Sequence, residues 1–183
     1  MRVIAGLYRG RRLKSPPSAE VRPTSDRMRE TLFNVLAPRI TNARFLDLCA
    51  GSGAIGIEAL SRGASFVTFV DQSRRMCGLI EANLDLCRVP EEQTQVVLNE
   101  ALDFLKRSPK QAWDLAFFDP PYASDYLPAL KLLGAEPRAF LSDEAALIAE
   151  HHHKMLLPDE IGALRRWRVL KQGDSALSFY EFN

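Results

Sequence analysis

The chain has 183 residues, 46% of them hydrophobic, with 24 Lys+Arg against 23 Asp+Glu. That length fits one domain able to bury a core without disulfides or metals. The ordinary composition excludes disorder, collagen and coiled coil, and no apolar run approaches the ~20 residues that a membrane span needs.

The opening MRVIAGLYRGRRLK has no apolar stretch of the signal-peptide kind. Three cysteines without C-x-x-C spacing fit a reduced, cytoplasmic chain. The charge is unevenly spread: residues 1–44 hold ten Lys/Arg and three acids, and residues 45–183 hold fourteen and twenty. A cationic segment joined to an acidic body points to a polyanionic partner, nucleic acid above all. The competing reading is a solvated basic tail.

Residues 1–14 read as a short basic hairpin around Gly6 and Gly10. Residues 15–23, with three prolines, read as an extended linker. Thr24 or Ser25 then caps a helix on which Met28, Leu32, Val35 and Leu36 share one face before Pro38. The candidate phosphate contacts are Arg9, Arg11, Arg12 and Lys14, followed by Arg22, Arg27 and Arg29. Arg27 is also spaced to pair with Glu30. The organisation expected is a basic, nucleic-acid-binding extension over 1–40 and a second domain over 41–183.

From residue 44 strands and helices alternate. Arg44–Leu48 is a strand, followed by a glycine loop and a helix ending near Gly63. Phe66–Asp71 is a second strand, with a helix through about Cys87. Gln95–Leu98 is a third strand, then a helix over 101–107. Asp114–Phe118 is a fourth strand, then a helix over 126–134, and Ala145–Glu150 is a fifth strand. Arg168–Lys171, a Gly173-Asp174 turn and Ala176–Phe182 carry a hairpin signature. The fold class is α/β and Rossmann-like: a mostly parallel, seven-stranded sheet closed by a C-terminal antiparallel hairpin strand. His151-His152-His153 reads as an exposed loop. Three consecutive histidines cannot face one point, and no Cys or carboxylate cluster completes a metal site, so no metal is expected.

Between the first strand and its helix stands Asp47-Leu-Cys-Ala-Gly51-Ser-Gly53-Ala-Ile-Gly56. Glycines there let a nucleotide-type ligand approach the backbone and the helix N-terminus. Asp71 ends the second strand, where a carboxylate accepts hydrogen bonds from two ribose hydroxyls. Asp47 would repel a pyrophosphate. It favours S-adenosylmethionine, which carries a sulfonium and an ammonium and no phosphate. The expected cofactor residues are Asp47, Cys49, Ala50, Gly51, Ser52 and Gly53 on the loop, Asp71 and Gln72 after the second strand, and Asn99, Glu100 and Ala101 after the third. Cys49 is read as packing, with no His partner nearby in sequence to make it a nucleophile.

The fourth strand ends in Asp119-Pro120-Pro121-Tyr122. Two prolines donate no hydrogen bonds and leave carbonyls and a carboxylate as acceptors. Acceptors beside an aromatic plate suit the amino group of a planar base. Asp119 and the Pro120 carbonyl would orient the amine while Tyr122 stacks the ring. These three are the candidate catalytic residues.

Together these motifs resemble the class I amino-methyltransferases. More narrowly, Arg2-Val-Ile-Ala-Gly6-x-x-Arg9-Gly10, Arg22-Pro-Thr-x-Asp26-Arg-x-Arg29 and Leu46-Asp-Leu-x-Ala-Gly-Ser-Gly53 make the chain similar to the bacterial 16S ribosomal RNA guanine-N2 methyltransferases that act on guanine 966. The resemblance implies an S-adenosylmethionine cofactor, 16S ribosomal RNA in an assembling small subunit as partner, and no membrane partner. A monomer is expected. Glu100 stands where that family mostly carries Asp, leaving Glu100 or Asn99 to meet the adenine. The competing readings are a DNA adenine-N6 or protein-glutamine methyltransferase, a nucleotide-dependent oxidoreductase, and a non-catalytic RNA-binding assembly factor.

Overall fold

Parallel pairing sets the frame: Phe45 lies beside Val67 on one neighbouring strand and Leu115 on the other. The computed structural model describes residues 1–16, 25–107, 112–135 and 137–182. Its elements are α1 (Asp26–Leu36), β1 (Arg44–Leu48), α2 (Ala54–Ser61), β2 (Phe66–Asp71), α3 (Arg74–Cys87), β3 (Thr94–Leu98), α4 (Ala101–Leu105), β4 (Trp113–Phe118), α5 (Leu127–Ala135), α6 (Pro137–Phe140), β5 (Leu141–His152), β6 (Glu160–Ile161), β7 (Leu164–Gln172) and β8 (Ser175–Phe182). The sheet runs β3-β2-β1-β4-β5-β8-β7-β6. The first five strands are parallel, and β8, β7 and β6 are antiparallel to their neighbours.

The α/β architecture agrees with the sequence, with eight strands in place of seven. The eighth is β6, two residues long, too short for any periodicity to announce. Strand β5 is twelve residues rather than six, and α4 stops at Leu105. At its end β5 is extended by its antiparallel partner, His151 pairing with Ala176 and His152 with Ser175, and at its start Leu141 pairs with Trp113 of β4. His151 is therefore not in an exposed loop. It is 3% exposed, with Nε2 at 2.9 Å from Ser178 Oγ.

Two apolar clusters fill the faces of the sheet. One gathers Phe45, Ile57, Phe69, Phe117, Ile148 and Phe179 with α1; the other gathers Leu46, Leu48, Ala116, Phe118, Leu130 and Leu147. The N-terminal segment belongs to the first cluster through Val3, Tyr8 and Leu13. It is a hairpin loop, with Val3 N–H donating to Arg11 O at 3.0 Å and Gly10 N–H to Val3 O at 2.9 Å. Glu58 on α2 anchors it, accepting from Ile4 N–H at 2.7 Å and Ala5 N–H at 3.0 Å. Gly6, at φ +81°, lies so near Ser61 that a Cβ would fall 1.7 Å from the Ser61 carbonyl oxygen. The linker over 17–23, Thr24 and Arg22 lie outside the described residues. Ser25 caps α1, its Oγ accepting from Met28 N–H at 3.1 Å.

Candidate active site at the switch point of the sheet

Strand order reverses between β1 and β4, and open α/β sheets bind ligands at that crevice. A cavity of about 780 Å³ lies there, lined by the ends of β1, β2, β4 and β5 and by the loops after them.

The glycine loop forms one wall. Gly51 (φ +55°) and Cys49 (φ +64°) are both left-handed, folding the chain back after β1. Gly51 N–H donates to Asp71 Oδ2 at 2.9 Å, and Asp71 Oδ1 accepts from Ser73 N–H at 2.8 Å. Asp71 thus ties the loop to the end of β2. Gly56 lets α2 lie on β2, since a Cβ there would come within 2.2 Å of the Phe69 ring. Its N–H donates to Asp47 Oδ2 at 2.9 Å. Asp47 is buried, and loss of water, with Asp71 nearby, pushes its carboxyl up to about 7 although the Gly56 bond opposes this. Glu100 caps α4 through Leu102 and Asp103 N–H, and Asn99 Oδ1 accepts from Glu100 N–H at 3.0 Å.

The opposite wall is the Asp-Pro-Pro-Tyr turn. Asp119 N–H continues the ladder to Leu48 O at 3.2 Å. Tyr126 donates its hydroxyl to Pro120 O at 3.0 Å, leaving that carbonyl one further lone pair. The Tyr122 hydroxyl is 2.7 Å from Ser175 Oγ, and its ring meets His152 edge-on at 5.6 Å, so the plate is braced by the start of β8 and the end of β5. Burial, then Glu150, then Asp47 drive the Asp119 carboxyl well above the usual carboxylate range.

Six acids (Asp47, Asp71, Glu100, Asp119, Asp125 and Glu150) line the cavity, and no Lys, Arg or His stands among its described lining residues. That donor set suits a cationic ligand and opposes a phosphate.

Several relatives over most of the chain share one name. Ribosomal RNA small subunit methyltransferase D of Haemophilus influenzae is 35% identical over 181 residues, 98% of this chain and 91% of that protein. The Escherichia coli protein of the same name is 40% identical over 161 residues, 86% of this chain and 78% of that one. The solved structure of the Escherichia coli protein yhhF superposes with a TM-score of 0.88 at 35% identity, covering 100% of this chain and 98% of that one. The family model described as conserved hypothetical protein 95 matches residues 1–181. The chain belongs to this family.

In this conserved hypothetical protein 95 member the structure gathers the sequence-derived residues unevenly. Asp47, Cys49, Ala50, Gly51, Ser52, Asp71, Gln72, Asn99, Glu100, Ala101, Asp119, Pro120 and Tyr122 all line the cavity. Gly53 is absent from the described lining; it caps α2 in the left-handed conformation. Cys49 has its thiol pushed up by burial and by the surrounding acids, which keeps it a neutral packing group. Glu150, missed in the sequence, follows the buried apolar run Ala145–Ala149 of β5; its one local signal was an acid closing that run.

The basic candidates also divide. Arg9, Arg12, Lys14 and Arg27 are exposed. Arg11 is half-buried, its guanidinium bonded to Cys87 O and 5.2 Å from the Tyr8 ring centroid. Arg29 is a correction: it is fully buried on α1, donating to Asp26 Oδ1 at 2.7 Å and to Arg2 O at 2.8 Å, and cannot reach a phosphate. A carboxylate does join the histidine run, contrary to the sequence reading. Asp174 of the β7–β8 turn, His152 and His153 each place a ligand atom within 4.8 Å of the others. The two rings stack at 4.6 Å, 27° from parallel, and His152 Nδ1 accepts from Lys154 N–H at 3.2 Å.

Proposed function

We propose that the protein transfers a methyl group from S-adenosylmethionine to the exocyclic N2 amine of a guanine in 16S ribosomal RNA of the small subunit. The observation that carries this reading is one cavity holding the glycine loop on one wall and Asp119-Pro120-Pro121-Tyr122 on the other, with six acids and no Lys, Arg or His among its described lining residues. The relatives named ribosomal RNA small subunit methyltransferase D support the RNA class.

S-adenosylmethionine, when bound, supplies a methyl group on a sulfonium that is already electrophilic. Asp71 takes the ribose hydroxyls with the lone pairs left over from Gly51 and Ser73. Asn99 and Glu100 border the adenine. Asp47 offsets the ammonium and sulfonium charge. Asp119, ionised once those cations and the amine's N–H groups arrive, and the second lone pair of Pro120 O orient the amine. As the amine nitrogen takes the methyl group, the methyl–sulfur bond would break with its electron pair staying on sulfur as a neutral thioether, and the amine gives up one proton, for which the Asp119 carboxylate is the acceptor placed. Tyr122 stacks the extruded base. Arg9, Arg12, Lys14 and Arg27 meet RNA phosphates outside the cavity, which makes residues 1–40 the RNA-binding extension and 41–183 the catalytic part. The protein acts as a monomer in the cytoplasm; among the described residues no helix is long and apolar enough to cross a membrane.

The test is mass spectrometry of nucleosides from small-subunit RNA, free and assembled with ribosomal proteins, after incubation with the protein and isotope-labelled donor. Labelled N2-methylguanosine is the expected product. Label on adenosine, or none on either substrate, overturns the reading.

A further inference from the structure

Three acids share one face of the sheet near its carboxyl edge, Asp119 and Glu150 on one rung and Asp47 one pleat back, opposite Phe117. In β1, Phe45 faces the first apolar cluster, so Asp47, two residues on, faces the same way. In β4 the same count runs from Phe117 to Asp119, and in β5 from Ala146 and Ile148 to Glu150. The register pairs Phe117 with Ile148 and Phe118 with Ala149, so the next rung sets Asp119 beside Glu150. Neighbouring strands stand about 4.8 Å apart. Asp119 is the middle of the three, since the strand order is β1-β4-β5. Asp47 is turned to the glycine loop by its bond to Gly56 N–H. Glu150 stands on the far side of Asp119 from that loop, 4% exposed and lining the same cavity. It therefore borders the half of the cavity left for the acceptor base.

An ionised carboxylate only accepts hydrogen bonds. Glu150 beside Asp119 opposes its ionisation, so the two serve together as acceptors only against a ligand edge with two adjacent donors. Guanine has that edge, a ring N1–H next to its 2-amine. Adenine and cytosine place a bare ring nitrogen next to theirs, and a lone pair facing a carboxylate is repelled. Resting on the guanine reading above, we propose that Glu150 selects guanine by accepting the ring N1–H while Asp119 and the Pro120 carbonyl hold the amine. Glu150 is then a specificity residue, distinct from the group that takes the amine's proton.

The experiment uses small-subunit RNA in which the methylated guanine, once located by mass spectrometry, is replaced through ligation of a synthetic segment by 2,6-diaminopurine. This base keeps the 2-amine but has a bare N1. Wild-type protein should prefer guanine over diaminopurine in kcat/KM by roughly 10- to 150-fold, the range of one hydrogen bond to a charged group. In Glu150→Gln the amide can donate to the bare N1, so most of that gap should close. Glu150→Ala should lose turnover on guanine and keep that on diaminopurine. Calorimetry should give both variants the wild-type affinity for S-adenosylmethionine. If both retain the wild-type preference for guanine, the inference is wrong. Loss of donor binding in Glu150→Gln would make the acid part of the scaffold and equally overturn it. Wild-type protein that leaves N2 of guanine unmethylated overturns the functional reading itself, and the inference falls with it.

Discussion

Asp47 Oδ2 accepts the Gly56 N–H at 2.9 Å from beneath the glycine loop, so one buried carboxylate both pins the start of α2 and faces the cavity. Burial raises this carboxyl to about 7. A raised acid stabilises the fold below its unfolded value near 4, and that contribution is lost as pH rises through about 7. Wild-type protein should therefore lose up to about 1.4 kcal/mol per pH unit from this group between about pH 4 and 7. Asp47→Asn should lack that slope and gain on wild type as pH rises, measured as chemical-denaturation midpoints at pH 5 and pH 8. Binding of a cationic donor favours the ionised form. At pH 6 S-adenosylmethionine binding should release protons, and its affinity should rise toward pH 7. Calorimetry in two buffers of different ionisation enthalpy reads that release; identical heats in both buffers would remove Asp47 from contact with the donor charge.

Asp71 has two tasks, tying Gly51 and Ser73 to β2 and receiving the ribose. Asp71→Ala should cost roughly 1.5–3 kcal/mol of donor affinity, or ~10- to 150-fold. Asp71→Asn keeps one acceptor oxygen for the loop and should fall between the two. Unchanged affinity in the alanine variant would place the ribose elsewhere.

The Asp-Pro-Pro-Tyr wall separates chemistry from capture. Asp119→Ala should abolish turnover while donor binding persists, so kcat falls more than KM rises. Tyr122→Phe keeps the stacking plate and should stay active. It gives up the 2.7 Å hydrogen bond with Ser175, so a modest rise in KM is expected from a less firmly braced ring. Tyr122→Ala should raise KM far more. Equal loss of activity in the phenylalanine and alanine variants would mean the hydroxyl, not the face, is what matters.

Most of the sheet and much of the cavity could be read in the sequence, because both follow from local patterns. Asp47, Asp71 and Asp119 each stand within a residue of the carboxyl end of an apolar strand, and a parallel sheet brings those ends together without further information. What escaped reading depends on partners distant in sequence. Strand β5 runs on to His152 only because β8 supplies pairs as far as Ser175, and His151 is buried for the same reason. Strand β6 exists through two residues paired with Arg165 and Leu164. Glu150 gains its meaning from the β4–β5 register. Arg29 was legible and misread: it precedes Phe33 by four residues and Leu32 by three, on the face of α1 that packs inward.

That burial sharpens the test of the basic segment. Arg9 and Arg12 project from a hairpin whose backbone is held by Glu58 and Ser61, so their charges can be removed without disturbing the mount. The double variant Arg9→Ala, Arg12→Ala should weaken RNA binding and flatten the dependence of log K on log salt by about 0.7–0.9 for each phosphate that is no longer neutralised. Its affinity for S-adenosylmethionine should be unchanged. Arg29→Ala should do the reverse, lowering stability by about 2–5 kcal/mol through the void it leaves, with the salt slope kept in the fraction that folds. Arg11→Ala should behave as a mixture, because its guanidinium also ties the hairpin to Cys87 O at the end of α3. Filter binding at a series of salt concentrations, paired with thermal melts, separates the three. A double variant with wild-type affinity and slope would show that the exposed arginines of the hairpin do not touch RNA.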